Sequence, residues 1–352
     1  MMGQLVVQRF QVLWHRVRVN HLAARLPVGS FAAAAFAGLQ DSAPRAALTA
    51  LYARVEDVGP GDWEDASLVQ TWAPRGAVFV VPRSDLAVFT RGIVPRDPEV
   101  RRALEQVVRR ARDLVPDARF KGQDVDRFDA VALPGAHWRG RPIWRLAYAL
   151  AGVQTRWDAR GTQLLPGPMP HMDEEAARQE LARRFLRSLG PARPARFTRW
   201  AAVSNADART TFKAISDELV EARWPGGSGF LLAEDGDRLA GAEPVEGVRF
   251  VAFGGDPVLQ PGEDTVAAER SNWRAALPSW ASMGIVLLDG QVVAAWGRSQ
   301  GRITILPLTS LTHEERHAIE AEAVAMPIPG APTEAVWRDR SEPASRSATP
   351  KG

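Results

Sequence analysis

The feature that most constrains this chain is a cadence: short helical stretches end in a pair of strands, and the pattern then starts again. In residues 8–26, Phe10, Leu13, Trp14, Val17, His21 and Leu22 line one side of a helix with arginines opposite. An Ala- and Phe-rich helix is predicted over 30–38, beginning near Ser30, with a break at Gly38–Pro44. A third helix, Arg45–Val55, stops before the turn at Gly59–Gly61. Leu68–Trp72 and Ala77–Val81 then read as strands around Ala73-Pro74-Arg75-Gly76. Three short helices followed by a hairpin form a winged-helix arrangement, a variant of the helix-turn-helix.

The cadence returns twice. Val100–Leu114 and Ile143–Leu150 predict helices, Val153–Leu165 a hairpin turning near Asp158–Gly161, and Pro166–Pro170 a linker. In the third unit, Asp173 caps a helix that runs to Leu189 and is stopped by Gly190-Pro191. Pro194–Ala201 is a short helix. Ser204-Asn205-Ala206-Asp207 resembles a capping box with Asp in the place of Glu or Gln, and opens a helix over Asn205–Ser216. A strand at Glu218–Arg223 and a turn at Pro225–Gly229 follow. In the last helix Ala208, Phe212 and Ile215 point one way, and Asn205, Arg209 and Lys213 another. That basic face suits a DNA groove, and a solvated helix face equally well.

Beyond this lies a meander: Ile285–Leu288, the Asp289-Gly290 turn, Val292–Trp296, the Gly297–Gly301 turn and Ile303–Leu306. A helix is predicted over Thr312–Ala325, and a polar, Ser- and Pro-rich tail over 338–352 is expected to be disordered. The expected fold class is α+β, with tandem winged-helix domains at 1–97, 98–170 and 171–240 and a small C-terminal β-domain at 241–337.

Composition excludes several classes. With 45% hydrophobic and 24% charged residues among 352, the chain can bury a core and is neither collagen-like nor disordered as a whole. It has no cysteine, so disulfides, thiol redox chemistry and Cys-ligated zinc are impossible. Runs such as Phe31–Ala37 and Ile285–Leu288 are too short to span a bilayer, and no secretion leader is evident. A cytoplasmic location with no membrane partner is expected. The net charge is only +3 although the sequence pI is about 9.7. Lys121, Lys213 and Lys351 are the only lysines, so few groups titrate above neutrality and the pI overstates the basicity. The distribution says more. Residues 1–55 carry arginines at 9, 16, 18, 25, 45 and 54 against the single acid Asp41. Residues 181–206 carry arginines at 183, 184, 187, 193, 196 and 199 and no acid, while 230–269 is strongly acidic. Segregation of this kind fits a polyanion-facing surface, or simply Arg-rich solvated faces.

His313-Glu314-Glu315-Arg316-His317 matches H-E-x-x-H, a zinc-protease pattern. Its flanks are charged and no third ligand accompanies it. A surface helix packed through Leu311, Ile319 and Val324 is expected instead, with no metal bound. Gly226-Gly227-Ser228-Gly229 reads as a turn, because no strand-to-helix context or following Lys makes it a phosphate loop. Most of the 12 tryptophans, Trp14 and Trp200 among them, are expected in the core.

The most informative stretch is Gly38-Leu39-Gln40-Asp41-Ser42-Ala43-Pro44-Arg45-Ala46-Ala47-Leu48. It resembles the Gly-hydrophobic-Gln-Ala-Gln-Asp-Pro-Arg-Ala-Ala-Leu motif of the AlkZ-like winged-helix DNA glycosylases. Val69-Gln70-Thr71-Trp72-Ala73-Pro74-Arg75-Gly76-Ala77 resembles that family's wing, and Phe185–Glu221 its second motif block. Asp256-Pro257-Val258-Leu259-Gln260 and Val286-Leu287-Leu288-Asp289-Gly290 resemble its C-terminal β region. The resemblance covers about residues 8–330. It implies tandem winged helices and a β-domain around a basic channel, and hydrolysis of the N-glycosidic bond of alkylated purines, bulky or cross-linked ones included.

The motif departs from the family where chemistry is concentrated. Gln40 is kept, but Asp41 occupies the hydrophobic position, Ser42 replaces the second Gln, and Phe79 stands where relatives often carry His. The resemblance implies that Gln40 positions a water, with Asp41 or Ser42 assisting. Asp41 or Ser42 could instead cap the helix that holds Arg45. Arg45, Arg75, Arg193, Arg196, Arg199, Arg209 and Lys213 are the expected contacts to the phosphates of double-stranded DNA. No cofactor is implied, and a monomer is expected. The alternative is a non-catalytic DNA binder, either a winged-helix regulator or a lesion-binding protein.

Overall fold

The computed structural model describes residues 4–42, 45–114, 137–138, 141–157, 162–253, 277–330 and 332–339. Among them no helix is long and apolar enough to cross a membrane. In chain order the first segment contains β1 (Gln4–Val6), α1 (Arg9–Val19), α2 (Phe31–Ala34), β2 (Leu39–Gln40), α3 (Ala46–Tyr52), β3 (Leu68–Trp72), β4 (Val78–Pro82) and α4 (Leu86–Arg91). The second contains α5 (Pro98–Leu114), the short pair β5 (His137–Trp138) and β6 (Arg141–Pro142), α6 (Trp144–Leu150), β7 (Val153–Trp157) and β8 (Thr162–Pro166). The third contains α7 (Glu174–Leu189), α8 (Pro194–Ala201), α9 (Asn205–Ala214), β9 (Leu219–Trp224), β10 (Gly227–Leu232) and α10 (Gly236–Ala240). The last contains β11 (Val248–Ala252), β12 (Gly284–Leu288), β13 (Gln291–Ser299), β14 (Arg302–Pro307), α11 (His313–Val324) and β15 (Glu334–Trp337).

Local chemistry explains most of these boundaries. Asp173 accepts the amide of Ala176 at 2.9 Å and starts α7. Ser204 and Asp207 exchange bonds as a capping box at the start of α9. The Ala- and Phe-rich helix is shorter than expected: α2 is a single turn, because the chain must reach Gly38 with φ +75° and enter β2. The predicted turn at 225–229 also shrinks. Only Pro225 and Gly226 turn, and Gly227-Ser228-Gly229 continue as β10. The loop 158–161 of the predicted second hairpin, residues 256–260, and 340–352 of the predicted tail lie outside the described residues.

The strands form small sheets ordered β2-β4-β3, β1-β9-β10 and β11-β12-β13-β14-β15, with two further strand pairs. Two pairings were invisible locally. β1 joins β9 in parallel, Gln4 opposite Glu221, and β15 joins β14 in parallel, Arg302 opposite Glu334. The apolar clusters cross from segment to segment, and the β3–β4 hairpin feeds all three of the largest. Leu68 and Val80 pack with α3, Phe250, Trp296 and Ile305. Val69, Phe79 and Val81 pack with Phe185, Phe197, Trp200 and Phe212. Trp72 packs with Val107, Trp144 and Leu164. Each such side chain contributes about 1.5–3 kcal/mol on burial, so the hairpin is fixed from three sides and makes a rigid support for what sits beside it.

Candidate active site

The site begins with Gly38. A Cβ there would lie 2.8 Å from Cε1 of Phe89 and 3.1 Å from Cδ1 of Phe79, and the backbone is left-handed. Glycine is therefore required both by φ and by the close approach. From it the chain runs extended along β4, with Leu39 opposite Val80 and Gln40 opposite Phe79. The amide of Asp41 donates to the Val78 carbonyl at 2.8 Å and prolongs the pairing. Alternation then decides the four side chains. Leu39 and Asp41 are buried, whereas Gln40 is half-buried and Ser42 exposed.

Gln40 and Ser42 thus share the outer face. Nε2 of Gln40 donates to Oγ of Ser42, and the Arg75 guanidinium donates to Oε1 of Gln40. Asp41 points the other way. Its Oδ1 accepts the Ala47 amide at 3.0 Å, in the first turn of α3, and its Oδ2 accepts Nε2 of Gln70 at 2.9 Å. Burial outweighs these bonds and the charge of Arg45, pushing the carboxyl up to about 6. Asp41 is accordingly a helix-capping group inside the fold. Period-two alternation around Gln40 was the signal that could have shown this, and Gln70, already visible in the wing motif, is the partner that sequence reasoning missed.

The cations expected to hold DNA fall into three groups. Arg45 and Arg75 lie at the site. Arg45 has φ +63° ahead of α3, and its guanidinium rests 4.0 Å from the centroid of the Trp63 ring. Arg75 donates to the Trp200 carbonyl as well as to Gln40, and stands 5.5 Å from the centroid of Phe79. Arg298 of β13, not foreseen, comes near both Arg45 and Asp41. Burial and Arg45 lower its pKa, and Asp41 acts against them. The second group is outward: Arg199 on α8, and Arg209 and Lys213 on α9, are exposed. The third is engaged elsewhere. Arg196 is buried, and Arg193, though exposed, bonds to Ser228 and lies 3.7 Å from Glu221.

Among the described residues no cluster of three or more His, Asp or Glu side chains could hold a metal ion. His313 and His317 are exposed on α11, which is anchored by Ile319 and Ala323. Val324, expected to pack, is instead 53% exposed, because Ala323 and Met326 take the inner positions of that turn.

A glutamine amide on a short strand paired to the hairpin, with arginines beside it, defines a polar site at the surface. The family model described as DNA glycosylase AlkZ-like matches residues 33–327. The chain therefore belongs to the AlkZ-like DNA glycosylase family. It is 27% identical over 301 residues to the interstrand DNA cross-link repair glycosylase of Streptomyces sahachiroi, covering 74% of this chain and 78% of that protein. The structure of DNA glycosylase AlkZ from Streptomyces sahachiroi matches with a TM-score of 0.72 at 19% identity, over 95% of this chain and 100% of that one. That likeness shows the fold.

Proposed function

We propose that this protein hydrolyses the N-glycosidic bond of N-alkylated purines in double-stranded DNA, with the Gln40 amide holding the attacking water. The observation that carries the reading is the outward placement of Gln40, its two ends fixed by Arg75 and Ser42. N-alkylation puts a positive charge on the purine. The C1′–N9 electron pair leaves with the base and neutralises it, the water oxygen bonds to C1′, and its spare proton passes to solvent. The base is already a good leaving group, so the enzyme needs to orient a nucleophile more than to supply a strong base. An amide suffices for that. Asp41 serves by anchoring α3 and the loop behind Gln40, since both its oxygens are engaged inside the fold.

The relative that acts on interstrand cross-links makes bulky N-alkyl adducts a reasonable substrate class. Each helix-plus-hairpin unit, at 1–97, 98–170 and 171–240, is proposed as a winged helix. Asn205, Arg209 and Lys213 present the α9 face to the duplex, where phosphate contacts dominate affinity.

The test is release of base from duplex DNA carrying 7-methylguanine. Wild type is expected to release it and Gln40→Ala to be inactive with DNA affinity retained. Equal release by both would sink the assignment. A second reading, a non-catalytic lesion binder, is favoured by Ser42, whose side chain is too short to supply a second amide. Tight binding without release, with activity gained in Ser42→Gln, would establish it.

A further inference from the structure

Arg75 stood among the residues expected to hold phosphate, yet two of its donor directions are committed inside the protein. One Nη bonds to Oε1 of Gln40 and the other to the carbonyl of Trp200. We propose that Arg75 is the positioning residue of the Gln40 amide, and that it ties the water-holding side chain to the C-terminal turn of α8. The proposal rests on the reading of Gln40 given above and adds a residue to it.

A guanidinium can only donate. The amide atom facing Arg75 must therefore be the oxygen, and the NH2 end is left to Ser42. A free glutamine amide can turn over, and with NH2 outward it would donate to a water and occupy the lone pair that has to attack. With the oxygen held, the second lone pair of Oε1 is available to accept a hydrogen bond from that water and so orient it, its spare proton still passing to solvent. The role is one of position. A cation beside the sugar opposes the positive charge that develops there, so direct electrostatic stabilisation by Arg75 would have the wrong sign.

Independent features show Arg75 held in this place. Its backbone is left-handed, φ +65°, followed by Gly76 at +62°. A non-glycine residue keeps that conformation where its surroundings over-determine it, and such positions cluster at functional sites. Nη1 of Arg145 donates to the Gly76 carbonyl at 2.9 Å, fixing the turn from the second segment. The Trp200 carbonyl lies in the last turn of α8, where carbonyls lack intrahelical partners and a cation is favoured. Ala202 and Val203 then lead directly to the Ser204 cap of α9, the helix with the outward cations. The path from the proposed DNA-facing helix to the Gln40 amide is therefore α9, α8, Arg75.

The experiment compares Arg75→Ala and Arg75→Lys with wild type in three measurements. These are single-turnover release of 7-methylguanine, affinity for the same duplex by anisotropy at several salt concentrations, and the 1H–15N signal of the Gln40 side-chain amide, assigned by its loss in Gln40→Ala. Because misplacement of a reacting group by about 1 Å costs roughly 100-fold, both variants should lose rate on that scale while affinity changes by less than about threefold. Lysine keeps the charge but cannot span two acceptors, so Arg75→Lys should not recover the rate, and it carries the test if Arg75→Ala does not fold. The Gln40 amide signal should shift in both. Weakened binding with a lower salt slope in Arg75→Ala, restored by Arg75→Lys together with the rate, would show a phosphate contact and overturn the proposal. Absence of release by wild type would defeat the glycosylase reading instead; the amide signal still judges Arg75, and an unmoved signal refutes its positioning role.

Discussion

Helices α7 and α9 lie close together in the sequence and are both rich in basic residues, yet they use their cations in opposite ways. Arg178 on α7 is fully buried. Its guanidinium donates to the carbonyls of Gly92, at 3.1 Å, and Val94, and pairs with Glu175 at 2.7 Å. Arg183 pairs with Glu218, Arg184 with Asp85 and Glu180, and Arg187 with Glu234. On α9, Arg209 and Lys213 are exposed. Basic density in a sequence therefore does not measure basic surface. Much of what looked like a polyanion-facing stretch at 181–206 answers acids of this same chain, including the acidic stretch after residue 230.

The sharpest way to break this contrast is to remove one buried cation. Arg178→Ala leaves the Gly92 and Val94 carbonyls without their donor and should cost about 3–5 kcal/mol of stability. Arg16→Ala belongs to the same class, since Arg16 is buried and bonds the carbonyls of Gly190 at 3.1 Å and Pro191 at 2.9 Å. Urea unfolding measures both; a loss below 1 kcal/mol in either would mean that these guanidiniums are not structural.

The buried anion offers the next largest effect. Between its unfolded value of 3.8 and about 6, Asp41 keeps in the folded chain a proton that the unfolded chain has released. Wild-type stability should therefore fall with rising pH across that window, by up to about 3 kcal/mol, and stay level above it. Asp41→Asn removes the slope, so its stability relative to wild type should improve between pH 4 and pH 7.5. Parallel curves would show that the carboxyl is solvated. His15 has the opposite sign. Burial and the charges of Arg16 and Arg238 lower it to about 4, so its neutral form supports the fold above pH 6.5 and that support is lost as pH falls towards 4.

The outward cations should act on binding alone. Arg209→Ala and Lys213→Ala are expected to change stability by less than about 0.5 kcal/mol, and each should lower the slope of log affinity against log salt by about 1. An unchanged slope would remove α9 from the DNA interface. The smallest effect is expected at the H-E-x-x-H helix. With His313 and His317 exposed, His317→Ala should leave stability within about 0.5 kcal/mol. A melting temperature raised by added zinc would contradict that.

Much of this molecule was legible locally. The start of α7 at Asp173, the box that opens α9, the apolar line of Ala208, Phe212 and Ile215, and the C-terminal meander all follow from short-range rules. The site was half legible. The motif exposed Gln40 as the residue to watch, but left Asp41 and Ser42 open between assisting it and capping the helix that follows. It read Arg75 as a phosphate contact and had no view of its partners Gln40 and Trp200, which lie 35 and 125 positions away.

What the sequence alone determined is where elements start and stop, and the family to which the chain belongs, because caps, turns and motif spacing act over a few residues. Tertiary structure decided which charges are buried and which strands meet, as when Gln4 pairs with Glu221. It also decided that the Gln40 amide is held by an arginine of the neighbouring hairpin. Those outcomes depend on which distant surfaces exclude water from one another, and no local window of the chain contains that information.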